Sequence, residues 1–295
     1  MYLLMLSFVL ILTSVISLSS PQSPYYSLVA AKLEKNFAPL PVLSTTLNFP
    51  VLSAQAALVT DLDSGVSLYE KNPDAPLFPA STTKIVTAMV SLDYYPLDTV
   101  LKVGRVSVEG QKMGLRTGEE LNVNDLLYGL LVYSANDAAE VLAENYEGGR
   151  EAFILAMNAK AKELSMANTL FRNPSGLDGN DQVTTARDLI RVSTVAMRNP
   201  KFAEIVGTKE KTVVSRDGLI KHRLTNINEL IGVVPGVLGV KTGWTESARE
   251  NLVTYLERDG HKIMFALLGS QDRFGETKEL IDWTFANYEW KEVKP

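Results

Sequence analysis

Pro79-Ala80-Ser81-Thr82-Thr83-Lys84 is the stretch that decides the reading of this chain, because it sets a serine three residues ahead of a lysine where a helix is predicted to begin. Residues i and i+3 of a helix share a face, so Lys84 Nζ can reach the Ser81 hydroxyl. A hydroxyl is a weak nucleophile until a base takes its proton, and a lysine becomes that base once its pKa falls. Burial lowers it, and so does a nearby cation, for which Lys241 is the expected candidate. Taken alone, a helix cap followed by a surface lysine explains Ser81 and Lys84 equally well.

Two further triplets follow in order. Ser134-Ala135-Asn136 breaks an otherwise helical stretch, and Lys241-Thr242-Gly243 closes a strand-like run of β-branched and small residues. Ser134 can pass a proton to a leaving amine, and Asn136 can bind a substrate amide. Lys241 and Thr242 offer a cation and a hydroxyl to a carboxylate, while Gly243 lets a substrate backbone approach closely. Each triplet by itself reads as an ordinary cap or turn. Arg116-Thr117-Gly118 imitates the third but precedes the second, so it breaks the order. In this order the three together point to an active-site serine enzyme that works without histidine.

Composition agrees with that chemistry. The chain has 295 residues, 46% hydrophobic and 21% charged, with a net charge of −5 and no basic cluster, which argues against a nucleic-acid partner. It contains no cysteine, which removes disulfides, thiolate nucleophiles and Cys-ligated zinc. Its two histidines, His222 and His261, lie in neither a metal-binding spacing nor a recognisable triad turn. No cofactor motif is present.

Residues 1–31 carry no charge, and Tyr2 to Leu18 is an almost continuous apolar run. This predicts an export signal or an N-terminal membrane anchor over 1–19, with the protein outside the cytoplasm, either anchored or released. Residues 20–50, rich in Ser, Pro and Tyr, are expected to be a linker, 51–290 the catalytic domain and 291–295 a tail.

Within 51–290, Ala57–Asp61 and Val66–Lys71 are predicted to form a hairpin around Asp63-Ser64-Gly65. Helices are expected from about Ser81 to Asp93, over Asn122–Tyr146 with the break at Ser134, and over Arg150–Ser165 and Thr185–Asn199. Val237–Thr242, Asn251–Glu257 and Lys262–Leu268 read as strands, the last two joined at Arg258-Asp259-Gly260, and a final amphipathic helix covers about Glu276–Asn287. Strands come from both chain ends and helices from the middle. The expected fold is therefore α+β: an antiparallel sheet built by the two ends, flanked by helices.

The chain resembles the low-molecular-weight penicillin-binding proteins, the serine-type D-alanyl-D-alanine carboxypeptidases. The likeness spans about 51–290 and extends beyond the three motifs. Lys112-Met113-Gly114-Leu115 through Gly118-Glu119, Asp125 to Leu131 leading into Ser134–Ala139, Phe171 to Leu177, and Thr185 to Asp188 all match. The resemblance implies a β-lactamase/transpeptidase-like fold with the site between sheet and helical lobe. It implies acylation of Ser81 by the penultimate D-Ala of a peptidoglycan stem peptide, with Lys84 as base and Ser134 as proton relay. Asn136 would hold the substrate amide, and the N–H groups of Ser81 and Trp244 would form the oxyanion hole. Lys241, Thr242 and Arg273 would bind the terminal carboxylate. It implies β-lactams as covalent inhibitors and no cofactor. Two residues depart from the pattern: Ala135 and Arg249 stand where glycine is common. The C-terminal membrane-associating domain of many members is not found, and an N-terminal anchor is expected in its place.

Three rival readings remain. An endopeptidase on peptidoglycan cross-links would share the acylation step. A class A β-lactamase would need a glutamate to activate the deacylating water, and Leu170–Asp181 has none. A non-catalytic β-lactam sensor or wall-binding module would not need three intact motifs.

Overall fold

Strands from both ends of the chain do meet in one sheet. The computed structural model describes residues 38–44, 48–179 and 181–292. The strands are β1 (Leu40–Leu43), β2 (Ala56–Asp61), β3 (Ser67–Lys71), β4 (Val100–Lys102), β5 (Glu120–Asn122), β6 (Glu210–Val214), β7 (Lys221–Thr225), β8 (Val237–Thr245), β9 (Arg249–Arg258), β10 (His261–Ser270) and β11 (Tyr288–Lys291). The helices are α1 (Lys84–Tyr94), α2 (Val123–Leu131), α3 (Asn136–Glu144), α4 (Gly149–Glu163), α5 (Ala186–Ala196), α6 (Pro200–Val206) and α7 (Arg273–Asn287). The main sheet has five antiparallel strands in the order β3-β2-β10-β9-β8.

Successive side chains of a strand point to opposite faces. On β2, Ala56 and Leu58 join the core under the helical lobe, while Ala57 and Val59 join the core on the other face. Met264, Ala266 and Leu268 of β10 divide from Ile263, Phe265 and Leu267 in the same way. Both faces of the sheet are buried, which is why β10 reads as an unbroken apolar run rather than an alternating one. α5 lies on the lobe side, and α7, through Leu280, Ile281 and Trp283, covers the far side.

Caps set several helix ends. The Asn122 side chain accepts from Asp125 N at 2.7 Å, Thr185 from Asp188 N at 3.0 Å and Asp272 from Gly275 N at 2.8 Å. The expected elements are found with boundary shifts, and one shift matters. Ser81 does not open an α-helix: Ala80–Thr83 is a 3₁₀ turn and the α-helix begins at Lys84.

Four features were not read from the sequence. Residues 40–43, inside the stretch expected as a linker, form β1 and pair with β11, so this part of the stretch belongs to the fold. The short β4–β5 pair, α6 and the β6–β7 hairpin are the others. Among the described residues no helix is long and apolar enough to cross a membrane. The expected signal or anchor over 1–19 lies outside the described residues.

Candidate active site

A cleft of about 1240 Å³ opens between the β8 edge of the sheet and the helical lobe, with Ser81, Ser134, Asn136, Thr242 and Arg273 among its lining residues. The nucleophile turn packs against β8. A Cβ on Gly243 would sit 3.1 Å from Ser81 N and 3.2 Å from the Pro79 carbonyl oxygen. The glycine of the third motif thus matters on the protein side as well: a side chain there would press on the turn that carries Ser81.

Lys84 is fully buried and makes three polar contacts. Its Nζ lies 2.9 Å from Ser81 Oγ, 2.6 Å from Asn136 Oδ1 and 2.5 Å from the Ser175 carbonyl oxygen. Asn136 is oriented unambiguously, because its Nδ2 donates to the Glu109 carbonyl oxygen at 2.7 Å. Two of the three lysine partners can only accept. A neutral amine gives them its two N–H bonds and leaves its lone pair directed at the Ser81 hydroxyl. Burial brings the Lys84 pKa down to about 7, against the opposing pull of the Glu140 and Asp137 carboxylates. Of the two expected causes, burial and a neighbouring cation, burial is the one that depresses Lys84.

Lys241 is almost fully buried and does not line the cleft. Its Nζ meets Ser134 Oγ and the Thr242 carbonyl oxygen, both at 2.9 Å. Burial first, then repulsion from Lys84 and from Arg273, holds it well below a lysine's ordinary value. Its position is thus behind the cleft, coupled to Ser134, rather than at the front as a free cation. Arg273 does face the cleft. Burial lowers it, but a guanidinium keeps its proton. Its Nη1 donates to the Gly243 carbonyl oxygen at 3.0 Å, and its backbone N donates to Glu250. The buried Thr242 Oγ1 has no partner among the described residues, and a substrate acceptor in the cleft would give it one. Trp244 follows on β8 and is 63% exposed at the rim.

Ser134 stands at φ +61, where the chain turns from α2 into α3 and points the hydroxyl at Lys241. Ala135, by contrast, has an ordinary extended backbone that any residue adopts, so the alanine in place of glycine is accommodated. Arg249 is different: it sits at φ +58, in the left-handed region that glycine adopts freely.

Sequence reading assigned no role to the 173–178 segment. Ser175 supplies a main-chain carbonyl to Lys84, and Gly176 sits at φ +85 against the nucleophile turn, where a Cβ would collide with the Ala80 carbonyl oxygen. Asp178 bridges to the other wall by accepting from Thr245 Oγ1 at 2.7 Å. A main-chain carbonyl has no side-chain signature; the Pro-Ser-Gly turn was the available signal. Among the described residues no three His, Asp or Glu side chains gather as a metal site.

Residues 44–272 match the family model described as D-alanyl-D-alanine carboxypeptidase, peptidase S11. The D-alanyl-D-alanine carboxypeptidase DacB2 of Mycobacterium tuberculosis is 35% identical over 243 residues, 79% of this chain and 82% of that protein. A D-alanyl-D-alanine endopeptidase of Pseudomonas aeruginosa is 37% identical over 241 residues, 79% of this chain and 77% of its own. The crystal structure of the Streptomyces K15 DD-transpeptidase superposes with a TM-score of 0.77 at 30% identity, covering 81% of this chain and all of that one. The penicillin-binding fold expected from the resemblance is therefore the fold found. With a serine, a buried lysine and an arginine gathered at one cleft, and with these relatives, the chain belongs to the D-alanyl-D-alanine carboxypeptidase family of serine peptidases.

Proposed function

We propose that Ser81 is the nucleophile of this peptidase and that it removes the terminal D-Ala from peptidoglycan stem peptides. Lys84 Nζ takes the Ser81 proton as Oγ bonds to the penultimate D-Ala carbonyl carbon. The resulting oxyanion is met by the N–H groups of Ser81 and Trp244. The C–N bond then breaks, and the proton reaches the leaving amine through Ser134, which Lys241 orients. D-Ala departs, and water hydrolyses the acyl-enzyme. Asn136 holds the substrate amide, while Thr242 and Arg273 take the terminal carboxylate. Lys241 supports that end of the cleft from behind.

The observation that carries this reading is the set of Lys84 contacts. Nζ lies 2.9 Å from Ser81 Oγ with two obligate acceptors, Asn136 Oδ1 and the Ser175 carbonyl oxygen, as its other partners, an arrangement that leaves the lone pair of a neutral amine for Ser81. β-Lactams acylate the same hydroxyl because their amide mimics the substrate's. The apolar run over residues 1–19 supports export, with the enzyme either tethered at the membrane or released, on the side where its substrate lies.

Intact-mass spectrometry with benzylpenicillin, beside Ser81→Ala, tests the assignment. The wild type gains one long-lived adduct and the variant none, and D-Ala release from a stem-peptide substrate is lost in parallel. An adduct on the variant removes Ser81 as nucleophile. Rapid drug loss without an adduct marks a β-lactamase. Activity only on cross-linked dimers marks an endopeptidase, the name that the Pseudomonas aeruginosa relative carries.

A further inference from the structure

One buried titratable pair plays no part in the chemistry above. His222 of β7 and Glu119, just before β5, meet with Nε2 2.6 Å from Oε1, both side chains almost fully buried. The other ring nitrogen, Nδ1, lies 3.0 Å from the Met113 carbonyl oxygen. That oxygen only accepts, so Nδ1 carries a hydrogen. Nε2 and Oε1 then share a second proton, since a bare ring nitrogen facing a bare carboxylate oxygen at this distance would repel it. The second oxygen of Glu119 accepts from Arg116 N at 3.0 Å.

The pair thus grips both ends of the 113–116 segment from the side away from the cleft. From the other side, Asp137 accepts from the N–H groups of Met113, Gly114 and Leu115 at 2.9–3.1 Å. The segment belongs to a loop, 103–118, that contains no helix or strand. Its ends are tied by Val103 N to the Glu119 carbonyl oxygen and Gly118 N to the Val103 carbonyl oxygen, each at 2.8 Å, and between them its shape depends on side-chain anchors. The upstream arm of that loop supplies the Glu109 and Gln111 carbonyl oxygens, which accept from Asn136 Nδ2 and Asn136 N, each at 2.7 Å. Asn136 Oδ1 in turn takes an N–H of Lys84.

We propose that His222 and Glu119 are positioning residues for acyl transfer: they anchor the 103–118 loop so that Asn136 holds Lys84 with its lone pair on Ser81. The inference rests on Lys84 being the base. Without the pair, Met113 O and Arg116 N lose their partners, the loop loses its outer grip and Asn136 its fixed acceptors. The lysine is then free to turn its lone pair away. The effect falls on the chemical step, because no atom of the pair reaches the cleft.

Acylation by a fluorescent penicillin, followed by stopped flow over a range of concentrations on the full chain, separates the limiting acylation rate from the pre-covalent dissociation constant. His222→Leu lowers the limiting rate about tenfold or more and leaves the dissociation constant within about threefold. Glu119→Gln retains the rate within about threefold, because its amide nitrogen donates to a neutral His222 and its carbonyl oxygen still accepts from Arg116 N. If His222→Leu does not give a native circular dichroism spectrum, His222→Gln replaces it; its amide reaches Met113 O or Glu119 but not both, and the same direction is expected. A wild-type rate in the His222 variant, a change confined to the dissociation constant, or an equal loss in Glu119→Gln overturns the proposal. A wild type that penicillin does not acylate overturns the assignment of Ser81 and Lys84 themselves, which the ratio between variants cannot do.

Discussion

Lys84 Nζ stands 2.9 Å from Ser81 Oγ while both of its other partners, Asn136 Oδ1 and the Ser175 carbonyl oxygen, are obligate acceptors. This pairing makes the amine a base only in its neutral form. A protonated Lys84 would donate to all three oxygens and have no lone pair for the serine proton.

If Lys84 is the base as proposed, the acylation rate should follow its deprotonation. Burial depresses its pKa to about 7, so the rate climbs about tenfold per pH unit on the acid side and levels above neutrality. The sign for stability is also set. Between about 7 and the ordinary lysine value the unfolded chain binds a proton that the folded chain does not, so this group makes stability rise with pH over that window. Lys241, also depressed, acts in the same sense. Penicillin acylation and urea unfolding, each measured from pH 5.5 to pH 9, check the two slopes. A rate independent of pH across neutrality would remove Lys84 as the base.

Arg273 lines the cleft, as do Arg105 and Arg150, whereas Lys241 is turned toward Ser134. Arg273→Ala should lower kcat/KM for peptides ending in a free carboxylate by about 10- to 100-fold, the worth of a charge-assisted hydrogen bond. Peptides ending in an amide should change little. Comparing D-Ala and D-Ala-amide release from matched substrates checks this. Equal losses on both would reassign the arginine to a structural role.

Gly176 and Gly118 share nearly the same backbone angle, φ +85 and φ +87, but not the same surroundings. A Cβ at Gly118 meets nothing within 4 Å, so Gly118→Ala costs only the strain of a left-handed residue, about 1–2 kcal/mol. At Gly176 the methyl meets the Ala80 carbonyl oxygen and the Thr83 hydroxyl. Gly176→Ala should therefore lose about 3 kcal/mol or more and displace the nucleophile turn. Urea midpoints rank the two variants, and penicillin acylation should fail in Gly176→Ala alone.

Arg249 is exposed in the left-handed region at the first position of β9, just after the turn from β8. Arg249→Gly relieves about 1 kcal/mol of strain and gives back part of it through a looser unfolded chain. The net effect is a gain of about 0.5 kcal/mol, read as a small rise in the urea midpoint with acylation unchanged. A loss of stability would mean that the arginine side chain contributes packing that outweighs its backbone strain.

The overlooked elements had signals. Asn199 ahead of Pro200 is a helix start, with the Asn199 side chain accepting from Lys201 N and Phe202 N. Thr212-Val213-Val214 before Asp217-Gly218 marks a hairpin. The strand at 40–43 had no such signal: its proline and serine neighbours read as a linker, and its partner, β11, lies at the opposite end of the described chain.

What the sequence determined by itself is what local chemistry encodes. The serine–lysine spacing, the two later triplets in order, the period of the strands and the helical break at Ser134 are each written within a few residues. Tertiary structure alone decided how those pieces meet. It put the Ser175 carbonyl and Asn136 on Lys84, turned Lys241 toward Ser134, and set Gly243 and Gly176 against the nucleophile turn. It also joined His222 to a loop 109 residues away. These are contacts between main-chain atoms or between residues distant in the chain. Such contacts depend on how the sheet and the lobe close over a shared core, and no local pattern of residue types records that closure.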